Sequence, residues 1–208
     1  MIRTRKFEIF SSGQGTPAMA EIFELLDVLD NVKHLKRTGW VKRNVPEPET
    51  VACHMYRMAV LAMTLQEDHV DRMKCVRMAL VHDLGEAIAG DITPHCGVSN
   101  DEKFQLEEKA ILEISSYVPK LVGDEWISLW REYEANQSQE AKVVKHLDKF
   151  DMIAQAFAYE QKYHVDLEEF FVSTQGFFHI EPFVTWDREL RSKRNACRYG
   201  SNNEKASV

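Results

Sequence analysis

The sequence predicts an all-α fold in a single domain. Apolar residues recur at intervals of three and four along most of the chain, as they do on the buried face of a helix. No segment of useful length alternates apolar and polar residues as a half-buried strand would. The 208 residues are enough for one domain with a sizeable core. We therefore expect a helical bundle with about six to seven main helices.

The predicted helices follow one another with clear boundary signals. Thr38-Gly39 ends the first helix, and Pro46 and Pro48 exclude a helix from the turn that follows. Pro119 and Gly123 separate two later helices, and the second of these can be capped by Asp124. The first and second predicted helices cover about 16–37 and 49–65, and the later ones cover about 71–87, 101–117, 124–136, 139–164 and 167–174.

The domain is expected to span 16–190. Residues 1–15 are predicted to be a flexible N-terminal segment, and 191–208 are predicted to be a disordered tail. We see no linker that would divide the domain between these ends.

The composition narrows the class of protein. Apolar residues make up 44% and charged residues 28% of the chain, which is typical of a globular protein. The net charge is −7, from 26 basic and 33 acidic residues, and this argues against binding to a nucleic acid polymer. It does not argue against a small phosphorylated ligand, because a metal and a few local cations can hold one.

Cysteine usage and hydropathy suggest a compartment. The four cysteines are far apart and form no CxxC pair, so a structural zinc site or a disulfide framework is not expected. No apolar run approaches the roughly 20 residues of a membrane span. We expect a cytoplasmic protein without a membrane partner. The basic start of the chain leaves a mitochondrial presequence as the alternative.

The pair His82-Asp83 is the most informative feature of the chain. It follows the apolar segment 79–81, while His54 lies on an earlier predicted helix and Asp148 on a later one. Two imidazoles and two carboxylates make a plausible ligand set for one divalent ion, and such mixed ligands tolerate Mn, Co, Fe, Zn or Mg. If the four side chains converge, the sequence predicts a metal-dependent hydrolase.

Two further acids lie close to this pair. Glu86 follows His82 by one helical turn and could transfer a proton, and Asp91 follows Gly90 and could orient a water. The plainer interpretations are that His82 is a core histidine bonded to a carbonyl and that Glu86 is an ordinary helix acid. The clustering of polar groups behind an apolar approach favours the functional interpretation, since buried polar groups need partners.

Three segments carry a resemblance to a known family: Arg37-Thr38-Gly39-Trp40-Val41-Lys42-Arg43-Asn44-Val45, the stretch 49–59 around His54, and 82–94. With the H…HD…D pattern, they resemble the HD-domain superfamily of metal-dependent phosphohydrolases, in its 5'-deoxynucleotidase branch. The likeness covers roughly 23–187.

The resemblance implies an all-helical and usually dimeric protein that hydrolyses deoxyribonucleoside 5'-monophosphates. It implies that the metal ligands are His54, His82, Asp83 and Asp148, and that Glu86 and Asp91 serve the water and the proton transfers. Substrate contacts would come from Arg37, Trp40 and Arg43, with bulk near the sugar 2' position disfavouring ribonucleotides. A core or dimer-contact role is the alternative for Trp40.

One position departs from the family pattern. Relatives usually carry an acid immediately before the first metal histidine, whereas this chain has Cys53. A carboxylate there could orient His54. For Cys53 itself, a buried small hydrophobe is the common role of a free cysteine.

Two other functions stay open at this point. An HD phosphohydrolase could act on a cyclic nucleotide, a dNTP or an alarmone instead. A non-catalytic helical dimeric binding module is the alternative from another class.

Overall fold

The computed structural model describes residues 18–66 and 69–205, and within them it confirms the predicted all-α fold. Seven of the helices have ten or more residues. The helices are α1 (Ala18–His34), α2 (Thr38–Val41), α3 (Val51–Met63), α4 (Arg72–Val81), α5 (Glu86–Ala89), α6 (Asn100–Ser115), α7 (Lys120–Ala135), α8 (Gln139–Tyr163), α9 (Glu168–Ser173) and α10 (Phe183–Lys205). The predicted flexible segment 1–15 lies outside the described residues.

Helix α8 organises the bundle, because it packs against α3, α4, α7, α9 and α10. Its 25 residues carry buried side chains along the whole helix, and these include Val144, Leu147 and Ile153. Burying side chains of this size supplies roughly 1.5–3 kcal/mol each. The polar residues that α8 carries between them are therefore held on a rigid element. No helix in the described ranges is both long and apolar enough to cross a membrane.

The connection from α1 to α3 is fixed by backbone hydrogen bonds. The backbone N–H of Arg37 donates to the carbonyl of Glu49 at 3.0 Å, and that of Val51 donates to Leu35 at 2.8 Å. The Thr50 side chain then caps α3 by accepting the N–H of Cys53. These bonds place Arg37 beside the first turns of α3.

The predicted helix 71–87 is interrupted, and this part of the prediction was wrong. Helix α4 ends at Val81, and α5 begins only at Glu86. Between them the backbone bonds join residues three apart, from Leu84 to Val81 and from Glu86 to Asp83, so the chain turns more tightly than an α-helix. Gly90 then takes a φ of +80°, which favours glycine and turns the chain out of α5.

The start of α7 also differs from the prediction. Gly123 does not break a helix but lies inside the first turns of α7, which begins at Lys120 after Pro119. A Cβ atom at Gly123 would lie 2.4 Å from the carbonyl oxygen of Ser115, so glycine permits the close approach of α6 and α7. Asp124 is therefore an interior helix residue and not a cap.

Helix α10 continues to Lys205, through most of the segment 191–208 that was predicted to be a disordered tail. The segment is mostly polar, which suggested disorder. Arg194 is nevertheless 4% exposed and forms ion pairs with Glu160 of α8 and Glu168 of α9. These pairs satisfy the buried guanidinium and attach α10 to the domain. Residues 206–208 lie outside the described part.

Candidate metal centre

Three separate helical elements bring the four predicted ligands together. His54 comes from α3, His82 and Asp83 from the turn after α4, and Asp148 from α8. His54 Nε2 lies 3.4 Å from Asp148 Oδ1 and 3.7 Å from Asp83 Oδ2. His82 Nε2 lies 3.1 Å from the same Asp83 oxygen. Residues that are far apart in sequence thus share one small volume.

The two imidazoles are oriented by bonds on their other nitrogen. His82 Nδ1 donates to the carbonyl of Ala79 at 3.0 Å, and His54 Nδ1 lies 2.7 Å from Asp151 Oδ2. Both Nε2 atoms are buried and have no hydrogen-bond partner among the described residues. A buried nitrogen without a partner is costly, so each of these atoms requires an explanation.

A divalent cation fits this arrangement. The ligand atoms of His54, His82 and Asp148 lie within 4.8 Å of one another, and Asp83 borders both imidazoles. Imidazole nitrogen combined with carboxylate oxygen suits several divalent transition metals. The ion would give both unpartnered Nε2 atoms the partner that they lack.

The electrostatics of the cluster favour a cation. Burial acts to raise the pKa of Asp83, but His82, His54 and Arg37 outweigh it and lower that pKa. Burial likewise opposes the charge of Asp148, whose pKa is held well below its usual value by Lys149, His54 and Arg37. Both carboxylates are therefore ionised at neutral pH.

His54 responds to these carboxylates. Burial and Arg37 act to lower its pKa, but the neighbouring carboxylates of Asp148 and Asp151 raise the pKa of His54 to about 9. Without a metal, the imidazole is thus protonated at neutral pH. A cation that binds Nε2 has to displace that proton.

Glu86 lies at the edge of the cluster and is only 4% exposed. Its Oε2 atom is buried and has no hydrogen-bond partner in the described chain. Burial, followed by Asp83 and Asp91, raises the pKa of Glu86 well above its ordinary value. The surroundings therefore favour the protonated carboxyl, which is the form that a general acid needs.

Unlike Glu86, Asp91 is held by a backbone hydrogen bond. Its Oδ2 atom accepts the backbone N–H of Thr38 at 2.6 Å, so that the loop after α5 is tied to the first residue of α2. Asp91 also lines the cavity described below. The bond holds one carboxylate oxygen in a single orientation beside Arg37.

The three predicted substrate contacts have different positions. Arg37 lies at the cluster, with Nη1 3.4 Å from Asp83 Oδ2. Arg43 is at the rim of the cavity and is paired with Glu169 of α9. Trp40 is 1% exposed, its indole N–H donates to Glu49, and its ring packs on Phe170. The core position matches the alternative interpretation of Trp40, although its ring still borders the cavity.

A cavity of about 440 Å³ opens over the cluster, a size typical of small-molecule sites. Sequence reasoning missed four of its polar lining residues: Lys103, Tyr133, Lys145 and Lys149. The Lys145 and Lys149 positions were readable in part, because they lie three residues before and one after Asp148 on α8. Lys103 and Tyr133 come from other helices, and no local pattern marks them.

Sequence reasoning also missed Asp151 and Arg57. The Arg57 guanidinium donates to both carboxylate oxygens of Asp151, which itself is fully buried against His54. A signal existed, because Asp151 follows Asp148 by three residues on one face of α8. Cys53 is exposed, contrary to the expected buried role, and its sulfur contacts Thr50.

An α-helical bundle in which one His-Asp pair meets a histidine and an aspartate from two other helices defines the HD class of domain. A family model described as "HD domain" matches residues 29–181, so the chain belongs to the HD-domain family.

Proteins with similar sequences align with most of the chain. It is 43% identical over 189 residues to the 5'-deoxynucleotidase HDDC2 of Dictyostelium discoideum, with 85% of this chain and 100% of that protein covered. It is 42% identical to the 5'-deoxynucleotidase HDDC2 of Homo sapiens, with 88% and 90% covered. The solved structure of HD domain-containing protein YGK1 aligns with a TM-score of 0.65 at 26% identity, over 87% of this chain and 89% of that one.

Proposed function

We propose that the protein is a metal-dependent 5'-deoxynucleotidase that hydrolyses deoxyribonucleoside 5'-monophosphates to deoxynucleoside and phosphate. One observation carries the proposal: the buried, unpartnered Nε2 atoms of His54 and His82 lie beside two ionised carboxylates below a nucleotide-sized cavity. The relatives named 5'-deoxynucleotidase, which match this chain nearly from end to end, support the choice of substrate.

In this proposal His54, His82, Asp83 and Asp148 hold one divalent ion, drawn from Mn, Co, Fe, Zn and Mg. When bound, such an ion supplies Lewis acidity, which lowers the pKa of water to roughly 7 and offsets the charge of a phosphate. The nitrogen and oxygen donors are compatible with each of these metals, so the chain does not select one by ligand type.

Cations of the chain bind the phosphate. Arg37 is half-buried beside Asp83, and Lys103, Lys145 and Lys149 line the same cavity. A guanidinium is the side chain best shaped for bidentate contact with phosphate oxygens. Arg43 is engaged by Glu169 at the rim, so we assign it a contact with the outer part of the nucleotide.

Glu86 and Asp91 divide the proton chemistry. Burial favours the protonated form of Glu86, and we assign this group to protonate the leaving 5' oxygen. Asp91 is anchored by the N–H of Thr38, and it holds the attacking water in one orientation. Both side chains line the cavity, which is the position that these roles require.

The wall formed by α2 supplies the sugar preference. Trp40 is held by Glu49, by Tyr159 at a centroid distance of 5.4 Å and by Phe170 at 4.5 Å. A ring packed in this way cannot move aside for an additional hydroxyl group. We therefore expect ribonucleotides, with their 2' hydroxyl, to be poorer substrates.

The same proposal includes a cytoplasmic homodimer that binds neither nucleic acid polymers nor membranes. Helix α1 supports self-association, because Ile22, Phe23 and Leu26 are 44%, 63% and 51% exposed on it. Exposed apolar clusters of this kind mark interaction surfaces. Light scattering of the wild type and of Phe23→Asp tests the dimer, with a monomeric wild type as the contradicting result.

The function itself is tested by phosphate release from a panel of nucleotides. Deoxynucleoside monophosphates are assayed beside ribonucleotides, a cyclic nucleotide, a dNTP and a guanosine alarmone, each with Mn²⁺, Co²⁺, Mg²⁺ or Zn²⁺. We expect turnover of the deoxynucleoside monophosphates and its loss after chelation. Turnover confined to another member of the panel would instead identify a different phosphohydrolase, and no turnover would favour a binding module.

A further inference from the structure

The acid that faces the first histidine of the cluster comes from α8 and not from α3. His54 Nδ1 lies 2.7 Å from Asp151 Oδ2, and both side chains are fully buried. Cys53, the neighbour of His54 in sequence, is exposed and contacts Thr50. The orientation of His54 in this chain therefore depends on a residue that is distant in sequence.

Asp151 is itself held in place by Arg57. The guanidinium donates through Nε and Nη2 to the two carboxylate oxygens, with the Nη2 contact at 2.9 Å. Its Nη2 also donates to the backbone carbonyl of Asp151 at 3.2 Å, and its Nη1 donates to Gln155. A bidentate pair of this kind fixes the plane of the carboxylate as well as its position.

The group of Glu49, His54 and Asp151 could be regarded as a second cation site, because its ligand atoms also lie within 4.8 Å of one another. Arg57 argues against this. Its guanidinium already lies 3.8 Å from Glu49 and donates to both oxygens of Asp151. The positive charge on the Nδ1 side of His54 is thus supplied by Arg57 and not by a bound cation.

We propose that Asp151 is a positioning residue, which holds His54 Nδ1 so that Nε2 points into the metal centre. The inference rests on the proposed function in that it takes the cluster of His54, His82, Asp83 and Asp148 as the metal site. The carboxylate fixes the ring orientation and increases the basicity of Nε2, and Arg57 keeps the carboxylate from turning. Partners of this kind are typically worth 10- to 100-fold in metal affinity.

The test measures Co²⁺ affinity by competition with a chromophoric chelator and follows the visible spectrum of bound Co²⁺. Asp151→Ala is expected to weaken Co²⁺ binding by about 10- to 100-fold. Asp151→Asn keeps an oxygen that can accept the Nδ1 proton but removes the charge, so we expect a smaller loss. Both variants are expected to alter the Co²⁺ spectrum, because His54 is held less firmly.

The chain offers a matched control in Glu160→Ala. Glu160 is also a buried acid of α8 that is paired with an arginine, Arg194, but it contacts no part of the cluster. This variant loses a comparable buried ion pair and should bind Co²⁺ within twofold of wild type. A merely structural role for Asp151 would make the two variants behave alike.

Each result of the Co²⁺ measurements either supports or overturns the positioning role of Asp151. Wild-type Co²⁺ affinity in Asp151→Ala, or equal losses in that variant and in Glu160→Ala, would overturn it. If Asp151→Ala does not fold, Asp151→Asn carries the test, and an affinity equal to wild type overturns it. Because no nucleotide is added, the measured Co²⁺ affinity does not depend on which substrate the protein hydrolyses. A wild type that binds Co²⁺ but hydrolyses no deoxynucleotide would refute the proposed function and leave this inference standing.

Discussion

Arg37 Nη1 lies 3.4 Å from Asp83 Oδ2, which joins the start of α2 to the turn after α4. Burial acts against the charge of Arg37, but Asp83, Asp148 and Asp91 raise its pKa, so the guanidinium stays charged inside the site. It is therefore placed to contact an anion next to the metal centre.

We predict that Arg37→Ala lowers kcat/KM for deoxynucleoside monophosphates by about 100-fold or more, since a charged hydrogen bond to a buried phosphate is lost. Arg43→Ala provides the comparison, because Arg43 is at the rim and is paired with Glu169. It should cost less than tenfold. Equal losses in the two variants would show that position in the cavity does not set the contribution of these arginines.

Removing one imidazole should remove the metal. We expect His82→Ala to purify without stoichiometric metal and without measurable phosphate release, because one of the two unpartnered Nε2 atoms is gone. Circular dichroism should still show a helical protein. Elemental analysis of the variant and the wild type makes the comparison, and a metal-free variant with full activity would be incompatible with the proposed site.

Metal affinity should depend on pH through His54. Its pKa is raised to about 9, so near neutral pH a binding cation displaces a proton. We predict proton release on Co²⁺ binding and an affinity that rises by up to about tenfold per pH unit between pH 7 and 8.5. Calorimetry in buffers of different ionisation enthalpy measures both quantities, and a pH-independent affinity would contradict the assignment.

The raised pKa of His54 should also make the stability of the metal-free protein depend on pH. Metal affinity should rise with pH, whereas this stability should fall. A histidine whose folded pKa lies above its unfolded value of about 6.5 contributes stability that is complete below that value. For His54 this contribution is lost as the pH rises through about 9. Urea unfolding of the chelated protein should show a falling free energy of unfolding over this range, and a smaller fall in His54→Gln.

Glu86 should affect turnover more than metal binding. We predict that Glu86→Gln lowers kcat by about 10²- to 10⁴-fold, which is the usual contribution of a proton-transferring side chain. Co²⁺ affinity should change little, because Glu86 is outside the four-ligand set. If Co²⁺ affinity fell together with kcat, Glu86 would have to be counted among the ligands instead.

Helix α10 should depend on a buried arginine. Arg194→Ala leaves the buried Glu160 of α8 paired with the more exposed Arg198, and breaking a buried pair costs up to about 3–5 kcal/mol. The melting temperature should fall by several degrees. Hydrogen exchange should show opening of α10 before the rest of the bundle. Unchanged protection of α10 would mean that apolar contacts such as those of Phe183 suffice.

Local patterns in the sequence were enough to predict most of the fold. Periodic apolar residues predicted the long helices, two of which begin at the caps Thr50 and Ser138, and the H…HD…D pattern predicted which side chains would meet. The break after Val81 was not readable, because it depends on tight turns and on the close approach of Gly85 to the Glu107 carbonyl. In that segment, tertiary contacts override the helical pattern of the sequence.

The remainder of the site follows from long-range packing. Lys103 and Tyr133 reach the cavity because α6 and α7 pack beside α5 and α8, and neither residue has a distinctive neighbour in sequence. The polar segment of α10 suggested disorder because a buried, paired arginine cannot be told from an exposed one by composition. Trp40 was predicted to contact substrate or to lie in the core, and in the structure its indole N–H is bound to Glu49 while its ring borders the cavity.

The hydrolysis of dAMP compared with AMP is the decisive measurement for a metal-dependent 5'-deoxynucleotidase. Phosphate release from dAMP and from AMP is measured with the Co²⁺-loaded wild type, before and after chelation. We predict turnover of dAMP at a kcat/KM well above that of AMP, its loss on chelation, and its recovery when Co²⁺ is returned. Hydrolysis of dAMP that persists in the chelated protein, or equal hydrolysis of dAMP and AMP, would contradict it.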